Sequence, residues 1–406
     1  MPDAATSAKL NQLITLDRAK RLLIELVRVP SPQTELLEAE PLLRAFIDTA
    51  VAPRLPALGF LRIRRDGMGN LIAEQGEDAT GHSLMLITNA MNQPQATMAN
   101  AYAGDVIDAR PHGLPGEAVL GKGASEQKGH MAAVLLAMEA IAAAGVALRG
   151  RLVFLCCTSG ETGRHDAIRS VVEGEGVRAE MAILGGTSLQ INLGNRGRID
   201  VLVRVHGTPS HSARPHDGCN AITGAMEVIH RVTAGVVTGE RHPQLGPRTI
   251  TANHIRSFPD ATHTVQDRCE ITFDRRLLPG DDPDAAFAEI RGLAMQVDGL
   301  PDPASGKPWR VEVELGPFMY PNLVAPDCAL VRALQSAARD MVGREMATWF
   351  APSAFDQGYL NHMGIECVNY GAGEHLFAHT DLDMASVDRV AEEARVLAGL
   401  IADRLG

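Results

Sequence analysis

The stretch Gly121-Lys122-Gly123-Ala124-Ser125-Glu126-Gln127-Lys128-Gly129-His130 joins a glycine-punctuated turn to a long apolar segment. Beyond it, Met131, Val134, Leu135, Met138 and Ile141 recur at the spacing of one buried helical face. The glycines let the turn's backbone come close to a neighbour. Glu126 stands at the helix mouth, where the dipole favours an acid and where a cation or a substrate can be met. An acidic first turn is also an ordinary way to start a helix, so this stretch alone leaves both roles open.

Outward from the turn, the chain alternates helices and strands. Residues 8–28 and 37–50 carry helical periodicity, and Val29-Pro30-Ser31-Pro32 stops the first. Leu61–Arg65 and Asn70–Glu74 read as strands around an Asp66-Gly67-Met68-Gly69 turn. Ser83–Thr88, Arg151–Cys157 and Met181–Leu184 are uninterrupted apolar runs, as in strands covered on both faces. Each runs into a polar loop. Such a pattern predicts an α/β sheet whose site gathers beyond the strand carboxyl ends. The pattern changes near Gly194. A strand at Ile199–His206, a helix over 220–237, strands at Thr249–Ile255 and Thr264–Asp274, a helix over 283–297 and a strand at Arg310–Leu315 give βαββαβ, the split βαβ sandwich. The first fold then resumes with a helix over 326–342, strands at 347–350 and 365–370, and a helix over 385–403. The predicted domains are 1–193 and 316–406 for the main α/β part and 194–315 for an inserted ferredoxin-like lid.

At 406 residues the chain is too long for one ordinary core. It has no apolar run of membrane-spanning length, and its first residues lack the basic and apolar regions of a signal peptide. Six scattered cysteines without a CxxC read as reduced, mostly buried thiols, which fits a cytoplasmic protein. Cys156 and Cys157 close an apolar strand and read as packing. The net charge of −11 and only 4% aromatic residues argue against nucleic acid, and the expected partner is a small polar molecule.

Polar groups follow successive strands: Asn89, Glu126, Glu161 and His379. Two carboxylates and an imidazole from distant loops suit a divalent ion such as zinc, which would polarise a carbonyl and acidify bound water. Taken singly, Glu161 capping a turn and His379 bonding a carbonyl are the plainer readings.

Together with these groups, several motifs resemble the co-catalytic zinc aminoacylases and exopeptidases that include acetylornithine deacetylase, succinyl-diaminopimelate desuccinylase and glutamate carboxypeptidase. They are the Gly121–Gly129 turn, Ser159-Gly160-Glu161-Thr162-Gly163, Gly207-Thr208-Pro209-Ser210-His211-Ser212-Ala213-Arg214-Pro215, Gly218-Cys219-Asn220-Ala221-Ile222, Asp274-Arg275-Arg276-Leu277-Leu278-Pro279-Gly280, and Gly371-Ala372-Gly373 ahead of Ala378-His379-Thr380. The resemblance implies a zinc-exopeptidase-like mixed sheet flanked by helices, a lid that usually dimerises, and two metals bridged by an aspartate. It carries over unevenly. The family's first His falls on Asn89, the Asp that orients it on Met91, the bridging Asp on Glu126, the catalytic Glu on Gly160, and a further acidic ligand on Gly186. The second Glu and the last His are kept as Glu161 and His379.

One metal position is therefore still supplied by Glu126, Glu161 and His379, while the other keeps only Glu126. The base that activates the bridging water is gone. Three readings follow. One divalent ion, zinc or manganese, binds with another base, for which His130, His165 and Asp166 are candidates. Alternatively the site is metal-free and Glu126 is the base or nucleophile. In the third reading the protein only binds a ligand. In the lid, the resemblance implies that His211 reaches the partner subunit's site and stabilises an oxyanion, and that Asn220, Asn253 and Arg276 contact the substrate's carboxylate; Asn89, a polar replacement of the family's His, is a further candidate contact in the main site. An ion pair with Asp274 is the competing reading for Arg276. Lys122 and Lys128 are expected to pair with acids at the helix mouth. The resulting expectation is a homodimeric hydrolase cleaving an amide-type C–N bond in a small N-acyl or carboxylate-bearing compound, with a catalytically silent binding homologue as the alternative.

Overall fold

The helix predicted after the glycine turn spans Gly129–Ala144 and is buried on almost every side. It lies between the main sheet, the Leu16–Val27 helix and the C-terminal Val387–Leu405 helix. That environment explains why it is apolar all round instead of along one stripe. The structure, a computed structural model, describes residues 3–76, 80–160, 162–239 and 241–406. Two compact units share the chain: Met1–Gly194 with Val324–Phe350 and Tyr359–Gly406, and Asn195–Leu323 with Ala351–Gly358.

In the first unit the sheet runs Arg62–Arg65, Leu71–Gln75, Arg151–Cys157, Ser83–Asn89, Met181–Leu184, Glu366–Asn369 and Ile191–Asn195. The four strands from Arg151–Cys157 to Glu366–Asn369 are mutually parallel. Their carboxyl ends therefore lie side by side, and the loops after Asn89, Cys157, Leu184 and Asn369 form one polar rim. Two helical readings change. The first helix is two, Ala4–Leu13 and Leu16–Val27, because the Thr15 hydroxyl caps the second by accepting from Arg18 N at 3.2 Å. The second is a chain of short turns, Pro41–Phe46, Ile47–Val51 and Ala52–Leu58, in a segment broken by three prolines.

A three-stranded antiparallel sheet of Asp105–Asp108, Glu117–Leu120 and Met384–Ser386 was not expected from the sequence. These strands are only three or four residues long and show no clear alternation. Pairing Met384 with Leu120 brings the end of the chain beside the glycine turn.

The second unit is a four-stranded antiparallel sheet ordered Thr249–Phe258, Arg268–Leu277, Gly197–His206, Arg310–Met319, with helices Ala221–Gly235 and Pro283–Met295. That order is the ferredoxin-like one. Ile199, Val201, Val203, Val205, Cys269, Ile271 and Phe273 alternate onto the buried face. The opposite face carries cross-strand ion pairs, such as Arg204 with Glu314 at 2.6 Å and with Glu270 at 3.5 Å. No helix among the described residues is long and apolar enough to cross a membrane.

Candidate active site

The small sheet sets up the site by aligning two loops that are more than 250 residues apart in sequence. Gly121 N donates to the Asp383 carbonyl at 2.8 Å. The Asp383 carboxylate accepts Gly123 N at 2.7 Å and Ser125 N at 2.8 Å. Lys122 Nζ donates to the Thr380 carbonyl at 2.7 Å, and Glu374 N to the Ser125 carbonyl at 2.8 Å. Gly123 has φ +84°, and a Cβ there would sit 2.7 Å from that of Asn92, so the turn requires glycine. Between these ties Glu126 Oε2 and His379 Nε2 come within 3.2 Å. His379 holds φ +63°, an uncommon conformation for a non-glycine residue and one often found at functional sites. Glu126 and His379 keep 29% and 52% of their side-chain surface exposed, so the pair can reach a ligand.

Two buried acids support this arrangement. Asp383 is almost fully buried, and burial raises its carboxyl pKa against the lowering effect of the amides it accepts. Glu374 is also buried. Arg389 Nη1 donates to its Oε2 at 2.6 Å, yet burial still pushes its carboxyl up to about 7. Nothing in the sequence singled out either residue. Their role depends on loops that only the fold brings together.

His130 has a task other than the catalytic one expected. It is buried, with Nδ1 2.5 Å from Glu393 Oε1 and Nε2 3.1 Å from the Ile87 carbonyl. Both ring nitrogens are engaged, and the side chain bridges the Ser83–Asn89 strand, its own helix and the C-terminal helix. Among the described residues Lys128 forms no ion pair with an acid. Its Nζ donates to the Val29 carbonyl at 2.9 Å and faces the rings of Phe46 and Tyr102, and burial lowers its pKa to about 7. Lys122 donates to a carbonyl, with the Asp383 charge nearby. His165 is buried against the Tyr359 ring, 5.2 Å between centroids, and Asp166 opens a short helix. Asn89 ends its strand half-buried, with Oδ1 buried and without a partner among the described residues. Glu161, the third expected ligand, lies outside the described residues.

The lid positions divide. His211 is exposed, and its Nδ1 accepts Ala213 N at 3.0 Å, so the neutral ring carries its proton on Nε2 and presents a donor outward. Asn220 caps the Ala221–Gly235 helix, its Oδ1 accepting Ile222 N at 3.0 Å. Asn253 sits at a bulge in the exposed Thr249–Phe258 edge strand. Arg276 is held by both Asp274 oxygens, at 2.7 and 2.9 Å, with Arg198 also 3.3 Å from Asp274. The ion-pair reading of Arg276 is therefore the one observed, and its expected carboxylate contact loses its free guanidinium.

The family model of a peptidase dimerisation domain, M20_dimer, matches residues 193–299, most of the lid. Succinyl-diaminopimelate desuccinylase of Alkalilimnicola ehrlichii is 25% identical over 363 residues, covering 83% of this chain and 90% of that protein. N-formyl-4-amino-5-aminomethyl-2-methylpyrimidine deformylase of Bacillus subtilis is 26% identical over 387 residues, covering 87% and 88%. A match to the Escherichia coli protein YgeY, 25% identical over 244 residues, spans 60% of this chain and only 59% of YgeY. The M20 metallo-carboxypeptidase Sso-CP2 of Sulfolobus solfataricus shares the fold at a TM-score of 0.75 and 16% identity, covering 95% and 98%. In its motifs, its dimerisation domain and its fold the chain resembles the M20 aminoacylase and exopeptidase family. The two-ion centre that the M20 resemblance implies does not fit this chain. A Cβ on Gly160 would lie 2.3 Å from the Met91 carbonyl oxygen, and one on Gly186 2.8 Å from Tyr370 N. Backbone fills both places, so neither can take a carboxylate without displacing main chain. Among the described residues, no three His, Cys, Asp or Glu side chains form a metal-binding group. Glu126 and His379 are the described remainder of the expected single-ion set.

Proposed function

We propose that this chain hydrolyses an amide-type C–N bond in a small N-acyl compound. The observation that carries the reading is the Glu126–His379 pair, held at 3.2 Å on the polar rim of a fold that its relatives use for C–N hydrolysis. Glu126 takes a proton from water as the oxygen attacks the carbonyl carbon, and His379 Nε2 returns a proton to the departing nitrogen. As the resemblance implies, His211 serves the oxyanion in the partner subunit's site, for which its Nε2–H is the available donor. A small carboxylate-bearing substrate stays within this reading, although Arg276 is committed to Asp274. These proton transfers belong to the metal-free form; alternatively Glu126, Glu161 and His379 would hold a single zinc or manganese ion, which would polarise the carbonyl while another base served. The protein works as a homodimer in the cytoplasm.

A catalytically silent binding homologue is the second reading, favoured by the backbone that closes Gly160, where the resemblance implies the general base. Glu126→Gln separates the two. On an enzyme it lowers turnover of N-acyl substrates by at least about a hundredfold, within the range of general-base catalysis. Unchanged turnover would sink the hydrolase reading, as would a wild-type protein inactive on a broad amide panel. Elemental analysis of the purified protein should find no more than one equivalent of divalent metal, and two equivalents would refute the ligand assignment.

A further inference from the structure

We propose that the place of the missing second ion has become a recognition subsite, in which Asn89 accepts a hydrogen bond from a terminal N–H group of the substrate, an amide or ureido nitrogen. The inference rests on the hydrolase reading for calling the occupant a substrate. Its own basis is a group of buried oxygens. Asn89 lies beside Cys157 in the parallel register, Ala90 N donates to the Cys157 carbonyl at 2.8 Å, and Met91 N to the Ser159 carbonyl at 3.3 Å. The chain beyond Asn89 and the chain from Cys157 to Ser159 are thus zipped together at one end of the sheet. On them, Asn89 Oδ1, Ser159 Oγ and Thr162 Oγ1 are buried without a hydrogen-bond partner among the described residues. Folded proteins leave few such atoms unpaired, and three on two adjoining loops mark a place that a ligand completes.

The chemistry of the occupant follows from what lines the place. Gly186, where the resemblance places an acidic ligand, is closed by backbone, so no acid holds an ion there. Asn89 Oδ1 is an acceptor only, and the two hydroxyls adapt to either role. Glu126 makes the rim acidic, and the nearby lysines are spent, Lys122 on the Thr380 carbonyl and Lys128 on the Val29 carbonyl. An anion meets the Glu126 carboxylate there, whereas an N–H donor finds an acceptor already desolvated.

N-carbamoylglycine and N-acetylglycine test this, because they differ only by NH2 in place of CH3 and share the same carboxylate. Calorimetric titration of the full chain should show the carbamoyl compound binding at least tenfold tighter. Asn89→Asp keeps the acceptor and should keep the preference, while Asn89→Leu should abolish it. Equal affinities, the reverse preference, no binding of either compound, or a preference that survives Asn89→Leu overturns the proposal. Equal affinities are also what a place filled only by water gives. The wild-type comparison decides even if Asn89→Leu fails to fold. Hydrolysis followed in the same samples keeps the two readings apart. Preference without turnover of these or of the amide panel upholds the subsite and sinks the hydrolase, and turnover without preference does the reverse.

Discussion

Glu374 shows how far one residue's chemistry depends on its surroundings. In the sequence it is an acid between Gly373 and His375, with nothing to distinguish it from the exposed acids of any loop. In the fold its amide is tied to Ser125, its carboxylate to Arg389, and burial holds the carboxyl near 7. The folded protein therefore binds this proton more tightly than the unfolded chain does. Its contribution favours folding least above pH 7, and stability falls as pH rises from about 4.5 to about 7. Glu374→Gln should remove up to about 3 kcal/mol of that decline. Urea denaturation at pH 5 and pH 8 reads the difference, and an unchanged slope would show that Arg389 fully compensates the burial. Asn220 and Arg276 illustrate the opposite outcome. Their motif positions were legible in the sequence, but a helix cap and an Asp274 ion pair occupy the atoms that were expected to meet a substrate.

Elements were readable where they are long and fully buried. The apolar runs Ser83–Asn89, Arg151–Cys157 and Met181–Leu184 announce strands covered on both faces, and the Gly129–Ala144 helix follows from its glycine turn. The small sheet was hidden because its short strands owe their pairing to contacts far away in sequence. His130 belongs at this scale. It pins the Gly129–Ala144 helix to the Ser83–Asn89 strand and, through Glu393, to the C-terminal helix. His130→Leu would leave the fully buried Glu393 without its partner, at a cost of about 3–5 kcal/mol. Chemical denaturation should show that loss, while the folded fraction keeps wild-type affinity for whichever glycine derivative binds. Loss of binding with unchanged stability would restore His130 to the site.

For the whole molecule, the lid leaves an open strand. Thr249–Phe258 pairs on one side only, and Ile255 on it is half-exposed, as is Met226 on the helix Ala221–Gly235 of the same unit. An unprotected edge with apolar side chains invites a second copy. Light scattering should therefore give twice the chain's 43.4 kDa. Ile255→Asp should return it to a single chain at micromolar concentration. A wild-type monomer would end the dimer reading, and a dimer that survives Ile255→Asp would move its interface elsewhere.

Hydrophobic periodicity determined the two-part α/β architecture and the inserted βαββαβ unit, because burial pattern and turn chemistry are local properties of the chain, and the quoted motifs carried the resemblance to zinc-dependent hydrolases. That resemblance in turn implies which ligands are replaced. Whether a replaced position remains usable is decided by distances between segments far apart in the chain. Only the folded backbone shows that Gly160 and Gly186 have no room for a side chain, that His130 is spent on Glu393, and that Asp383 draws Glu126 and His379 together.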